Sequence, residues 1–316
     1  MELNTAGRLH ERKSGHLEQA IESVNRVILG KRNAIRLCFA CLLARGHLLI
    51  EDVPGVGKTT LAQTLAQALG LDYRRIQFTS DLLPADILGA AIWHRESGEF
   101  RFQPGPVFAQ LILADEVNRA TPKTQSALLE AMEEHQVTVD GETRALPEPF
   151  FVIATQNPHY QVGTFPLPES QLDRFLMRID LGYPDKEAER ELLEGRDRRE
   201  MLADLEHLLT PDALIALQAR AKEIHTSGPL LDYIQAIVRY TRENADFVNG
   251  LSPRAALALK RAAQAWAMLG GRTAVIPEDV QAVLGGVVSH RLRLRRDEPG
   301  AKPAFVHRII EAVPIP

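Results

Sequence analysis

Residues 47–60, His47-Leu48-Leu49-Ile50-Glu51-Asp52-Val53-Pro54-Gly55-Val56-Gly57-Lys58-Thr59-Thr60, constrain the fold more than any other stretch. Leu48-Leu49-Ile50 reads as a short buried strand, Pro54–Gly57 as a loop, and Leu61, Ala62, Leu65 and Ala66 return at helical spacing. Strand, glycine loop and helix in that order make a phosphate-binding loop. The backbone N–H groups of the loop and of the new helix's first turn form a nest for phosphate oxygens. Pro54, Gly55, Val56, Gly57, Lys58, Thr59 and Thr60 are the expected contact set, with Lys58 reaching the outer phosphates and the Thr59 hydroxyl ligating magnesium. The general pattern G-x-x-x-x-G-K-[ST] has a glycine where this chain has Asp52. The alternative, a glycine-rich turn that merely precedes a lysine, does not account for the flanking strand and helix.

Length, at 316 residues, suggests about two domains. A net charge of −4 and a pI near 6.2 give no basic field to attract nucleic acid or an anionic membrane. No apolar run approaches the roughly 18 residues of a membrane span. Met1-Glu2-Leu3-Asn4-Thr5 lacks the basic-then-apolar character of a secretion signal, so the expected location is cytoplasmic. The two cysteines, Cys38 and Cys41, have redox spacing but lie inside an apolar helical run, and a zinc site would lack its second pair. Buried thiols are the expectation.

The first helix carries Leu17, Ile21, Val24 and Ile28 on one face. Further strands are expected over Tyr73–Thr79, Gln110–Ala114, Phe150–Thr155 and Leu176–Leu181, with a helix over Lys123–Glu134. Hairpins are expected near 92–102, around Ser97-Gly98, and near 136–145, around Asp140-Gly141. Strands alternating with helices argue for an α/β fold with a parallel sheet covered on both faces. After Gly182-Tyr183-Pro184 the patterns turn helical, which divides the chain into residues 1–184 and a helical unit with a tail, 185–316. The tail, with Pro299-Gly300, reads as loop and a short helix.

Leu111-Ile112-Leu113-Ala114-Asp115-Glu116 ends a buried strand on two carboxylates. Asp115 is expected to hold the magnesium and Glu116 to polarise the attacking water. Asn157, at the tip of the next core strand, is either the first residue of an Asn-Pro turn or a group that holds that water or reads the γ-phosphate. The Leu167–Phe175 segment reads as a helix that ends at an arginine, and Arg174 is a surface charge, a partner of Asp173, or a finger that neutralises transition-state charge in a neighbouring subunit. Ser252-Pro253 opens a helix, and Arg254 there is either a solvated first-turn arginine or one that reaches the phosphates.

Taken together, Glu51–Thr59, Ile76–Pro84, Gly105–Ala109, Asp115–Ala120, Ala154–Pro158, Pro168–Phe175 and Pro277–Val280 with His290-Arg291-Leu292 resemble the AAA+ ATPases, and among them the MoxR family, over nearly the whole chain. The resemblance implies a five-stranded αβα core with a smaller all-α C-terminal lid, ATP and magnesium at the contact between subunits, and a hexameric homo-oligomer. It implies that Asn157 senses the γ-phosphate, that Arg174 is the trans-acting finger and that Arg254 is the lid sensor. The family's loop carries Asp52. The implied function is ATP hydrolysis that drives chaperone-like remodelling or activation of a protein complex or metalloenzyme, with a von Willebrand factor A domain partner and a protein client. Two other classes compete: a helicase-like nucleic-acid motor, pointed to by the basic run His290–Arg296, and a metal-insertion subunit like that of magnesium chelatase.

Overall fold

The computed structural model describes residues 3–157, 163–296 and 301–315, with side chains for all of these but 3–14, 199 and 301–304. Pro158 and the Pro299-Gly300 pair lie outside the described residues. Two helices, α1 (Leu3–Val27) and α2 (Arg32–Leu43), precede β1 (Leu48–Glu51), and α3 (Lys58–Ala68) follows it. Next come β2 (Tyr73–Gln77), the short α4 (Pro84–Leu88), a hairpin of β3 (Gly89–His94) and β4 (Glu99–Pro104), β5 (Leu111–Asp115) and α5 (Pro122–Glu134). A second hairpin, β6 (Gln136–Val139) and β7 (Glu142–Ala145), leads to β8 (Phe151–Gln156), the one-turn α6 (Glu169–Leu172) and β9 (Met177–Ile179). The rest is helical: α7 (Lys186–Glu194), α8 (Arg198–Ala203), α9 (Pro211–Glu223), α10 (Gly228–Glu243), α11 (Pro253–Leu269), α12 (Pro277–Val288) and α13 (Ala301–Ala312).

Five strands form one parallel sheet in the order β2-β5-β8-β1-β9, and both hairpins stand apart from it. Period-two alternation divides the sheet's side chains between two cores. Leu48, Ile50, Leu111, Leu113, Phe151 and Ile153 face a large core shared with α1, α2, α3 and the C-terminal helices. Leu49, Ile112, Ala114, Val152 and Ala154 face a smaller one beneath α4 and α5. The central strands are buried on both sides, which is why they read as continuous apolar runs. β2 closes one edge, and its Arg74, Arg75 and Gln77 are exposed.

The C-terminal helices cover the face that carries α2. α11 packs on α2 and α12, and α12 packs on β9. Gln218 donates to the Leu42 carbonyl (2.8 Å) and Arg36 to that of Leu269 (2.8 Å). Ser252, Thr210, Thr121 and Ser227 each cap a helix with the side-chain oxygen, and a proline follows within two residues. Cys38 and Cys41 are buried in α2, and desolvation pushes the Cys38 thiol up to about 12 and that of Cys41 well above its ordinary value. Both are packing groups rather than a reactive pair. Among the described residues no helix is long and apolar enough to cross a membrane.

Candidate nucleotide site

The loop between β1 and α3 opens at the C-terminal edge of the sheet, where ligands of open α/β sheets bind. Gly55 and Gly57 have φ of +86° and +92°. An added Cβ would meet nothing within 4 Å at either, so conformation rather than crowding demands glycine there. The Lys58 ammonium donates to the carbonyls of Asp52 (2.7 Å) and Val53 (3.0 Å). Burial pulls its pKa down, and Asp52, Asp115 and Glu116 push it back up.

Asp52 fastens the loop from below. One carboxylate oxygen accepts from its neighbour's N–H at Val53 (2.8 Å), the other from the N–H groups of Leu181 (2.7 Å) and Gly182 (2.6 Å), just past β9. A glycine here would leave the loop without that tie.

Asp115 and Glu116 stand at the end of β5. Thr155 on β8 donates to Asp115 Oδ1 (2.5 Å) and accepts from the Glu116 N–H (2.8 Å), while Arg75 on β2 holds Asp115 Oδ2 (2.6 Å). Glu116 sits in the left-handed region, φ +58°, a conformation that non-glycine residues rarely adopt and that clusters at functional sites. Its carboxylate receives Asn157 Nδ2 (2.8 Å), Gln77 Nε2 (3.1 Å) and Arg119 Nε (3.2 Å). Pro54, Gly55, Gly57, Lys58, Thr59, Thr60, Asp115, Glu116 and Asn157 together line one cleft of about 310 Å³. Val56, beside it, packs partly buried against the large core.

This donor set fits a magnesium nucleotide. The loop's N–H groups and Lys58 suit phosphate, and a hydroxyl and a carboxylate suit a hard cation that keeps most of its shell from water and phosphate. Among the described residues no three His, Cys, Asp or Glu side chains converge on a metal position. A further cleft of about 400 Å³ lies at the same edge, between Gly30 and Lys31, Asp180-Leu181 just past β9, and Gly285 and Gly286 of α12.

The structure does not bring the two arginines to this cleft. Arg174 lies just before β9, and β9 begins level with the start of β1: Met177 pairs with Leu48, and the Leu176 N–H bonds the His47 carbonyl (2.9 Å). It therefore stands at the N-terminal edge of the sheet, a four-residue strand of about 13 Å away from the phosphate loop. Arg254 is beside it. The Glu133 carboxylate at the end of α5 takes Arg174 Nε on one oxygen (3.0 Å) and Arg254 on the other. Arg45, Arg174, Arg254, Arg261, Arg291 and Asp173 line this second cleft, of about 370 Å³.

Two readings are thereby corrected. Arg254 does not reach its own chain's loop, because α11 lies along α2 and starts where Ser252 Oγ meets Asp173 (3.0 Å). Arg174 pairs with Glu133 rather than with Asp173, and it follows the helix instead of ending it. Only the start of the basic run is drawn inward: His290 is buried and the Arg291 side chain is 5% exposed, whereas Arg293, Arg295 and Arg296 are exposed, Arg293 facing Glu169 (3.6 Å) and Arg295 bonding the Ala245 carbonyl. Thr155, Arg75, Glu133 and the partners of Asp52 carry no sequence signal of their own, since each is defined by a residue far along the chain.

The family model described as "ATPase family associated with various cellular activities (AAA)" matches residues 47–177, and one described as "AAA lid domain" matches 239–313. "Chaperone MoxR1" of Mycobacterium tuberculosis is 40% identical over 312 residues, 95% of this chain and 82% of that protein. "Protein MoxR" of Paracoccus denitrificans is 35% identical, over 93% and 94% of the two chains. A solved structure from Cytophaga hutchinsonii, titled as a candidate ATPase, superposes with a TM-score of 0.88 at 36% identity, covering 100% of this chain and 99% of that one.

Proposed function

The chain belongs to the MoxR family of AAA+ ATPases, and on that premise we propose that it hydrolyses magnesium-bound ATP at the contact between copies of itself in a hexameric ring, and so remodels a protein client. In this reading residues 1–184 form the nucleotide-binding unit and residues 185–316 the lid and tail. One observation carries it: Arg174 and Arg254 converge on a single carboxylate at the sheet edge opposite the phosphate loop. A site complete in one chain would put these arginines beside its own phosphate loop. A site shared by two chains needs them away from that loop, facing the neighbour.

The loop and Lys58 hold the phosphates, and Thr59 and Asp115 hold the cation, which when bound withdraws charge from the phosphate oxygens. Glu116 takes the proton of the attacking water, in the grip of Asn157, Gln77 and Arg119. The neighbour's Arg174 and Arg254 counter the charge that grows on the transferred group. The 400 Å³ cleft beside β9 suits the base. A von Willebrand factor A domain protein as partner, and a protein complex or metalloenzyme as client, complete the proposal. The β3–β4 hairpin offers them an exposed surface, with Trp93 against Phe100 (ring centroids 5.1 Å apart).

Glu116→Gln tests the chemistry. The amide keeps the shape but cannot take a proton, so ATP should stay bound through gel filtration while turnover falls on the order of 100- to 10,000-fold. Steady-state hydrolysis at the normal rate would sink the assignment. Protein retained by the ATP-loaded variant identifies the client.

A further inference from the structure

Arg291 holds the turn that carries Arg174. A guanidinium has five N–H donors, and all five of Arg291's are used. Nε donates to Asp173 Oδ1 (2.6 Å), Nη1 to the carbonyls of Leu176 (3.1 Å) and Val287, and Nη2 to those of Asp173 (3.2 Å) and Phe175 (2.6 Å). Four of these bonds fall on the residues that bracket Arg174, and the fifth ties Arg291 back to Val287 in the last turn of α12. The neighbouring His290 adds a bond to the Phe175 carbonyl (3.0 Å).

The other Asp173 oxygen accepts from Ser252, the cap of the helix that presents Arg254. Asp173 thus joins the turn carrying Arg174 to the helix start carrying Arg254, and Arg291 locks the joint. We propose that Arg291 is a positioning residue for hydrolysis in the neighbouring copy: it sets the attitude of the Arg174 turn and fixes that turn to Arg254, so that the two arginines arrive as one unit. This rests on the shared-site reading above. The chemistry asks for the planar fork. A lysine brings three donors from a single point and cannot span four carbonyls and a carboxylate.

Arg291→Gln should leave nucleotide affinity unchanged, because the phosphate loop is at the opposite sheet edge, and should lower kcat on the order of 100-fold, as a displaced catalytic group does. Arg291→Lys should fall between it and the native chain. The decisive measurement is complementation. A Glu116→Gln subunit has a dead loop but sound arginines, and an Arg291→Gln subunit has the reverse. Mixed rings should therefore hydrolyse ATP well above either protein alone, and a subunit that had failed to fold could not contribute. Asp173→Asn, which loosens the same joint from the other side, should complement in the same way and serves if Arg291→Gln is insoluble.

Arg174→Ala mixed with Glu116→Gln is the control. If that pair recovers activity and both Arg291→Gln and Asp173→Asn stay silent with subunit mixing confirmed, the positioning role is wrong and the shared site stands. If the control pair also stays silent, the shared site itself is wrong and the proposal falls with it. Loss of nucleotide affinity in step with kcat would equally overturn it.

Discussion

Asp52 shows how one side chain can matter to a site it does not enter. Both of its oxygens are occupied by three backbone N–H groups, two of them 129 and 130 residues away. Asp52→Asn keeps the volume but turns one oxygen into an N–H₂ that must face another N–H. With charge-assisted bonds to buried donors worth ~1.5–3 kcal/mol each, the variant should lose about 3 kcal/mol in urea unfolding and bind ATP more weakly through a slackened loop. Unchanged stability and affinity would mean the tie is dispensable. Asp52 as a departure from the general loop pattern is plain in the sequence. Its use is not, because hydrogen-bond partners past residue 180 leave no mark near residue 52. Glu116 divides the same way. A carboxylate at the end of an apolar strand is legible from local pattern, whereas its left-handed backbone and its cradle of Gln77, Arg119 and Asn157 come from three separate segments.

Elements here are tied at their ends, and His47 is the clearest knot. It precedes β1, its Nε2 lies 3.0 Å from the carbonyl of Met132 on α5, and its Nδ1 accepts from the N–H of Val152 on β8 (3.1 Å). These partners assign a neutral ring, and desolvation lowers its pKa to about 4 from 6.5, with His135 adding to the fall. His135, 6.1 Å away, is itself pushed down by burial and by Arg45. Because the folded pKa is depressed, the unfolded chain binds more protons between about pH 6.5 and 4, so this residue's contribution is whole above 6.5 and is lost as pH falls through that window. The full effect is about 3 kcal/mol, at 1.36 kcal/mol for each pKa unit. Urea unfolding of the native chain and of His47→Gln from pH 7.5 to 4.5 should converge as pH falls; parallel curves would show that His47 does not titrate across the transition. The elements themselves were largely legible, since a Ser or Thr cap followed by proline, alternating strands and an Asp-Gly turn are all local. The segment before β9 was not. A helix running to Arg174 is what its pattern suggests, yet α6 stops at Leu172 because the carbonyls of residues 173, 175 and 176 are taken by Arg291 instead of by a further turn.

At the scale of the molecule, the sheet sorts the chemistry onto two edges: phosphate loop, Asp115, Glu116 and Asn157 on one, Arg174 and Arg254 on the other. Sequence order hides this, because Asn157 and Arg174 are 17 residues apart in the chain and a whole strand length apart in space. Parallel topology is what separates them: one residue leaves a strand at its C-terminal end, and the other enters the next strand at its N-terminal end. Glu133 holding both arginines gives the second edge a fixed pattern of charge, which a neighbour's phosphates can match. If each copy completes the next one's site, a copy that carries both Glu116→Gln and Arg174→Ala silences two sites, its own and its neighbour's. Added to native protein at rising fractions, with total subunit concentration fixed, this double variant should depress ATPase activity more steeply than the native fraction falls, whereas Arg174→Ala alone should track that fraction, and each copy still binds nucleotide. A double-variant loss that only tracks the native fraction, with mixing of subunits verified by differently sized tags, would argue against a site shared through Arg174.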